Sequence, residues 1–351
     1  MRTPDLFISG LGTYVPETVS VASAVEQGLY SAEEAEEHGW TGAAVAGDIP
    51  APEMALQASQ EALKRAGRDP QSVDLLLYAD CWHQGPDGWS PQYYLQHHLV
   101  GGDLLALEIR QGCAGAFAGF ELAASYLLAD PRRDAALVVA ADNFGTPLVN
   151  RWTLGSGFIA GDGAAAAVIS RTPGFARLLS VCSTTIPSLE EIHRAGEPMF
   201  PPGATTGRPM DFTARLDAFR RKQLAEGAGM EGAMSFEKKT RDCLEQALSE
   251  AGVELSDITR VAITSSSRGE AEEQFMGSLN LPLEMSTWDY GRTLGHMGAA
   301  DQLVAIDNLL TTGQVGAGDH ILMLGLAPGI TYSVAVIKVL EAPSWVPARS
   351  A

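Results

Sequence analysis

Two stretches of the chain repeat one another, and the repeat limits the folds open to it. Residues 61–80 read EALKRAGRDPQSVDLLLYAD and residues 246–265 read QALSEAGVELSDITRVAITS. Each copy is a helical pattern, an Ala-Gly stop, a polar loop and an apolar run of strand length. The correspondence continues downstream. Gly112-Cys113 matches Gly295-His296, LVVAADN (137–143) matches ILMLGLA (321–327), and AAAAVIS (164–170) matches SVAVIKV (333–339). The chain therefore reads as two βαβαβ-like halves, 1–172 and 173–342. Alternating strands and helices predict an α/β fold with a largely parallel sheet covered on both faces. Duplicated halves packed about a pseudo-twofold axis bring equivalent helix starts face to face, which sets Cys113 opposite His296.

Strands are expected at Leu6–Leu11, Val73–Ala79, Ala135–Ala141 and Ala164–Ser170, and helices at Glu33–Glu37 and Glu53–Ala66. The segment Cys182–Met234 interrupts the second half. It is rich in Pro and Gly, then basic and helical from Thr213 to Gln223, and reads as a lid or rim over a site.

The stretch Leu107–Asp130, LEIRQGCAGAFAGFELAASYLLAD, runs from a short apolar segment through a tight corner at Gln111–Cys113 into apolar residues at helical spacing. Cys113 is thus expected in the first turn of a buried helix. Unpaired N–H groups and the helix dipole favour an anion there, so a thiol in that place is more acidic and more nucleophilic. The same N–H groups suit a forming oxyanion. The competing role for Cys113 is that of a small buried hydrophobe. His296 stands at the predicted start of a second helix, with Asp301 five residues on to orient it. Cys, His and Asp together suit covalent acyl transfer; the alternative for His296 is a structural cap of its own helix. Near the C-terminus, LGLAPGITYS (324–333) holds a tight turn in which the N–H of Gly329 is a candidate second oxyanion donor, since Pro328 has none. Cys81 and His83 flank Trp82 at the end of a strand, where side chains line pockets. No known ligand spacing points to a metal.

Composition excludes several classes. With 351 residues, 46% of them hydrophobic, the chain can build one large or two medium cores. No uninterrupted apolar stretch suggests a membrane span, and the N-terminus has no signal-peptide cleavage pattern. Four scattered Cys without a CxxC pair predict reduced thiols and a cytoplasmic protein. A net charge of −19 argues against nucleic acid. It also repels an acidic carrier protein unless a local basic patch intervenes. The candidates are Arg132-Arg133, Arg215 with Arg220-Arg221-Lys222, and Lys238-Lys239 with Arg241.

The motifs ISGLGTYVPE, QGCAGAFAGFELA, GDGAAAAVIS, YGRTLGHMGAADQ and GLAPGITYS together resemble the thiolase-fold ketosynthase III family, the β-ketoacyl carrier-protein synthase III group. The resemblance spans most of the chain. It implies a homodimer, a five-layered αβαβα arrangement and an acyl group loaded onto Cys113. Condensing members carry a His where this chain has ITSSSR (263–268), on or next to Thr264, and an Asn that falls near Arg292. Without that pair, decarboxylative condensation by the usual route is in doubt. The Gly-His-x-Gly-x-x-Asp run at 295–301 instead resembles ketosynthase-III-like acyltransferases of antibiotic pathways. That likeness implies a triad of Cys113, His296 and Asp301. It also implies a carrier-protein or coenzyme A thioester donor, no tightly bound cofactor, and a small-molecule or glycoside acceptor. The alternatives are a starter-unit ketosynthase that primes polyketide synthesis, and a non-catalytic docking subunit. The basic run that helps hold coenzyme A in housekeeping members is absent after Trp40. Trp40, Trp82, Arg151, Trp152 and Thr264 remain as candidate substrate contacts; the alternative for Trp40, Arg151 and Trp152 is that they are surface anchors.

Overall fold

The apolar runs read from the sequence become strands of one continuous sheet system. The structure, a computed structural model, describes residues 1–155, 157–227 and 229–346. In chain order the strands are β1 (Phe7–Tyr14), β2 (Thr18–Ser20), β3 (Gly42–Ala44), β4 (Leu75–Ala79), β5 (Leu105–Ile109) and β6 (Ala135–Asp142). They continue as β7 (Gly163–Ser170), β8 (Ala176–Thr185), β9 (Ile258–Ala262), β10 (His320–Ala327) and β11 (Thr331–Val339). β2 and β3 form a small separate hairpin; the other nine lie in the order β5-β4-β6-β7-β1-β8-β11-β10-β9. The order β4-β6-β7-β1 on one side is matched by β9-β10-β11-β8 on the other. The two rows meet in a short antiparallel register, Phe7 opposite Arg177 and Ile8 opposite Ala176.

The sheet is mixed rather than largely parallel. β4 runs parallel to β5 and β6, and β9 parallel to β10, because helices connect them. β7 returns antiparallel to β6, and β11 antiparallel to β10. The latter pair is joined only by the turn Pro328–Ile330, and a short connection of that kind permits antiparallel pairing alone.

Three apolar cores divide the molecule into layers. The helix Ala51–Arg65 buries Met54, Ala58 and Leu63 against the outer face of the first row, at Leu76, Tyr78 and Val139. The helix Gly229–Ala251 buries Cys243 and Ala247 against the outer face of the second row, at Val261, Leu322 and Val334. Between the rows lie Gly115–Ala129 and Asp301–Thr311, whose Phe117, Phe120, Leu303 and Ile306 share one core with inward residues of both rows. This makes an αβαβα stack. The segment Gly112–Ala129 is apolar and long enough to cross a membrane, yet here its apolar faces fill the central layer.

β8 continues through Thr185, paired with β11 as far as Thr331 opposite Thr185. The predicted insertion therefore begins after Thr185 and not at Cys182, whose buried side chain belongs to the strand. It holds two short 3₁₀ segments and the helix Phe212–Glu226, then merges into Gly229–Ala251.

The central layer depends on close approach of backbone. A Cβ added at Gly119 would stand 2.5 Å from Val138 Cγ1 on β6. Gly119→Val should therefore overpack this layer and destabilise the fold by about 3 kcal/mol. Urea unfolding would register a lower midpoint with an unchanged slope; an unchanged midpoint would show that the layer has room to give.

Candidate active site

The nucleophile turn is built by glycines. After β5 the chain makes a single 3₁₀ turn, Gly112–Ala114, before the helix Gly115–Ala129 begins. Gly112 has φ +57°, and a Cβ there would meet Pro328 Cδ at 3.0 Å. At Gly115 a Cβ would stand 2.7 Å from Ala79 Cβ and 3.2 Å from Ala299 Cβ, so the helix start presses onto the end of β4 and onto the other half of the chain. Cys113 thus precedes the helix by one tight turn.

His296 is not at a helix start. It lies in an extended segment bridged to Ala160, with its N–H donating to Ile159 O at 2.8 Å and its carbonyl accepting from Gly161 N at 2.9 Å. The helix begins five residues later at Asp301. Gly298, at φ +60°, turns the chain between the two.

The arrangement brings the three residues into one line. Cys113 Sγ lies 2.8 Å from His296 Nε2, and His296 Nδ1 lies 2.6 Å from Asp301 Oδ2. A carboxylate only accepts, so Nδ1 carries the hydrogen and Nε2 is left to the sulfur. Asp301 is itself fixed: Oδ2 also accepts from Ser265 N and Oδ1 from Met297 N, each at 2.7 Å. The thiol of Cys113 is pulled down to about 5, most by the Cys81 thiol beside it and then by His296, against the opposing effect of burial. Burial works to keep His296 neutral, but the Cys113 sulfur and Asp301 outweigh it and hold the imidazole well above its ordinary value. Both directions favour a thiolate facing an imidazolium.

The pair opens onto a cavity of about 880 Å³. Phe144, Phe158, Phe212, Phe219 and Phe275 make much of its wall, and the insertion supplies Leu189, Ile192 and Leu216. Phe158 sets its edge against the His296 ring, centroids 5.7 Å apart at 84°. Thr264 also lines the cavity, its Oγ1 accepting from Gln302 Nε2 at 3.0 Å.

Two family models match the chain: 3-oxoacyl-[acyl-carrier-protein (ACP)] synthase III over residues 107–185, and its C-terminal counterpart over 248–339. A solved structure of the acyltransferase ChlB3 superposes with a TM-score of 0.93 and 58% identity, covering 97% of this chain and all of that one (100%). The chain belongs to the 3-oxoacyl-[acyl-carrier-protein] synthase III family. Among other relatives, acetoacetyl CoA synthase NphT7 from Streptomyces sp. (strain CL190) is 26% identical over 94% of this chain and 98% of its own. The synthase III structure from Aquifex aeolicus VF5, at 22% identity, TM-score 0.74 and coverage of 95% and 99%, shows the shared thiolase fold.

Within this ketosynthase-III-like site, several expected contacts lie elsewhere. Trp40 and Trp152 are 3% and 5% exposed, packed with Val21 and Tyr30 in a separate cluster, and Trp40 Nε1 donates to Gly157 O at 3.3 Å. Their rings are occupied by packing and do not face the cavity. Arg151 reaches the fully buried Asp162 at 2.9 Å, a carboxylate that also accepts from Ala46 N and Phe144 N; its charge is needed there and is not offered to a substrate. Trp82 Nε1 donates to Thr146 Oγ1 at 3.1 Å; of Cys81, Trp82 and His83, the cavity is lined by Cys81. The turn after β10 faces the cavity through Ala327, Pro328 and Ile330, leaving Gly329 outside the lining. Arg292, near which the resemblance sets the Asn of condensing members, points to Gly39 O at 3.2 Å, stacks over Trp288 and is not among the residues lining the cavity. The basic clusters hold acids of their own: Arg132 with Asp130 at 2.8 Å, Arg215 with Glu197 and Lys222 with Glu191 at 2.6 Å, and Lys238 with Asp242 at 2.5 Å.

Sequence reading did not single out Asp142, which sits beneath Cys81, or Glu270, which lines the cavity. The one available signal for Asp142 was a carboxylate at the end of an otherwise apolar strand. The role of Arg151 yields a test. Asp162→Ala strands a buried guanidinium and two backbone donors, and should cost roughly 3–5 kcal/mol in chemical denaturation. A loss below about 1 kcal/mol would mean that water replaces the carboxylate.

Proposed function

We propose that this chain is an acyltransferase that carries an acyl group on Cys113 from a carrier-protein or coenzyme A thioester to a hydroxyl, amine or carrier thiol. The observation that supports it most is the Cys113–His296–Asp301 alignment; the family resemblance adds that the His of condensing members falls on or next to Thr264, where this chain has none. The Cys113 thiolate attacks the donor carbonyl and forms a carbon–sulfur bond. The backbone N–H of Cys113, at the head of the central helix, is the candidate oxyanion donor. Collapse breaks the donor's carbon–sulfur bond, and His296 passes its Nε2 proton to the departing thiolate. The neutral imidazole, oriented by Asp301, then takes the proton of the acceptor hydroxyl as that oxygen bonds to the acyl carbon. A second collapse releases the product and restores thiolate and imidazolium. No enolate forms at any stage, so a hydroxyl tied to Gln302 at position 264 is no handicap. The volume and apolar lining of the cavity suit a substantial acyl group. In the same reading the protein is a cytoplasmic homodimer of secondary metabolism with no tightly bound cofactor.

Intact-mass measurement after incubation with a panel of acyl thioesters should show a single adduct on Cys113, absent in Cys113→Ala. Asp301→Asn should keep the adduct but slow its transfer to an acceptor by at least about a hundredfold, because the imidazole loses its orienting partner. No adduct across the whole panel, or release of carbon dioxide from a malonyl donor at the rate of acyl transfer, would refute the reading.

A further inference from the structure

A second thiol shares the site. Cys81 follows β4 directly and lines the same cavity as Cys113, and the end of β4 packs on the turn that carries Cys113, a Cβ at Gly115 standing 2.7 Å from Ala79 Cβ. Its position is fixed from three sides. The Cys81 N–H donates to both oxygens of Asp142, at 2.9 and 3.1 Å. The end of β4 is pressed by the helix start at Gly115, where a Cβ would come within 2.7 Å of Ala79 Cβ. On the third side stands Gly298, where a Cβ would lie 2.9 Å from Cys81 Sγ and 2.4 Å from Asp142 Oδ2. No larger residue than glycine fits there, and the sulfur stays beside Asp142 at the cavity wall.

The chemistry needs a donor at this place. His296 has one ring nitrogen available, since Nδ1 is committed to Asp301 at 2.6 Å. When the acceptor attacks the thioester, Nε2 must take the acceptor's proton at the moment the Cys113 sulfur begins to leave as an anion. One nitrogen cannot fully serve both. We propose that Cys81 is a second donor to the nucleophile: its S–H turns to the Cys113 sulfur whenever that sulfur is anionic, and to the Asp142 carboxylate when Cys113 is acylated. No bond to Cys81 forms or breaks. The thiol keeps its hydrogen throughout, consistent with a Cys81 thiol held far above its ordinary range, first by its contact with Cys113 and then by burial and the Asp142 charge. The other titratable and charged groups around the pair are His296 and Asp301 from the second half, Arg110, His193, Arg215 and Glu270 at the cavity wall, and Asp80 one residue before Cys81, itself buried.

The leaving-group role rests on the acyltransferase reading, whereas the test does not. Iodoacetamide alkylation of Cys113, followed by peptide mass spectrometry across pH, needs neither acyl donor nor acceptor. The wild-type rate should rise through an inflection near 5. In Cys81→Ala, and in Cys81→Val as a donor-free variant that fills the space, the inflection should move up by about one unit. Alkylation at pH 5 should then be roughly fivefold slower. Cys81→Ser retains a donor and should stay close to wild type. If both donor-free variants follow the wild-type profile, or if Cys81→Ser shifts as far as Cys81→Ala, the proposal fails. A shifted profile in a protein that transfers no acyl group would uphold the contact and reject only the reaction.

Discussion

The site depends on one contact: a sulfur and an imidazole nitrogen 2.8 Å apart, carried by residues 183 positions apart in the chain. Two unpaired ions buried in a protein would be strongly unfavourable. Here each ion is the other's partner, and His296 Nδ1 and both Asp301 oxygens have hydrogen-bond partners. Asp301 holds the far side of the ring and is itself held by two backbone N–H groups, one following β9 and one from the His296 segment. The pair therefore forms only when the elements that carry Cys113, Ser265 and Asp301 are docked. The apolar central layer does that docking, by packing Phe117 and Phe120 with Leu303 and Ile306. Folding and nucleophile activation are in this sense one event.

The electrostatics beneath the nucleophile follow the same logic. Asp142 is fully buried, and desolvation pushes its carboxyl up to about 7, with the Cys113 charge acting in the same direction. Burial similarly lifts Asp80 to about 8. Both are anionic only above those values, so near neutral pH the negative field under the thiolate is smaller than the residue types suggest. A site that concentrates one anion on sulfur benefits from acids that give up theirs. Asp142 also accepts from the N–H groups of Cys81 and Trp82, which ties the end of β4 to the end of β6 and fixes the floor of the site.

Much of this was legible in the sequence because the signals are local and strong. Apolar runs such as AALVVAA and AAAAVIS are of strand length and bounded by turn residues, which suits buried strands, and the repeat aligned Cys113 with His296 before any coordinates. What was not legible depends on partners distant in sequence. The repeat could not say that β7 and β11 return antiparallel: the Pro328–Ile330 turn before β11 is too short for a crossover, and residues 143–162 before β7 form no covering helix among the described residues. His296 read as a helix start because Gly295 precedes it, yet a bridge to Ala160 holds it extended. Trp40, Trp152 and Arg151 looked free to bind a substrate. Their partners, Tyr30 and Asp162, are set beside them by tertiary packing alone.

The central claim is that the resting site holds an imidazolium because it holds a thiolate. It is tested most directly by NMR titration of His296 with ¹⁵N-histidine labelling, in the wild type and in Cys113→Ala. The account predicts a wild-type ring still doubly protonated well above pH 6.5, and a ring that loses its proton at distinctly lower pH once the sulfur is gone. A His296 that is neutral at pH 7 in the wild type, or that titrates identically in both proteins, would contradict it.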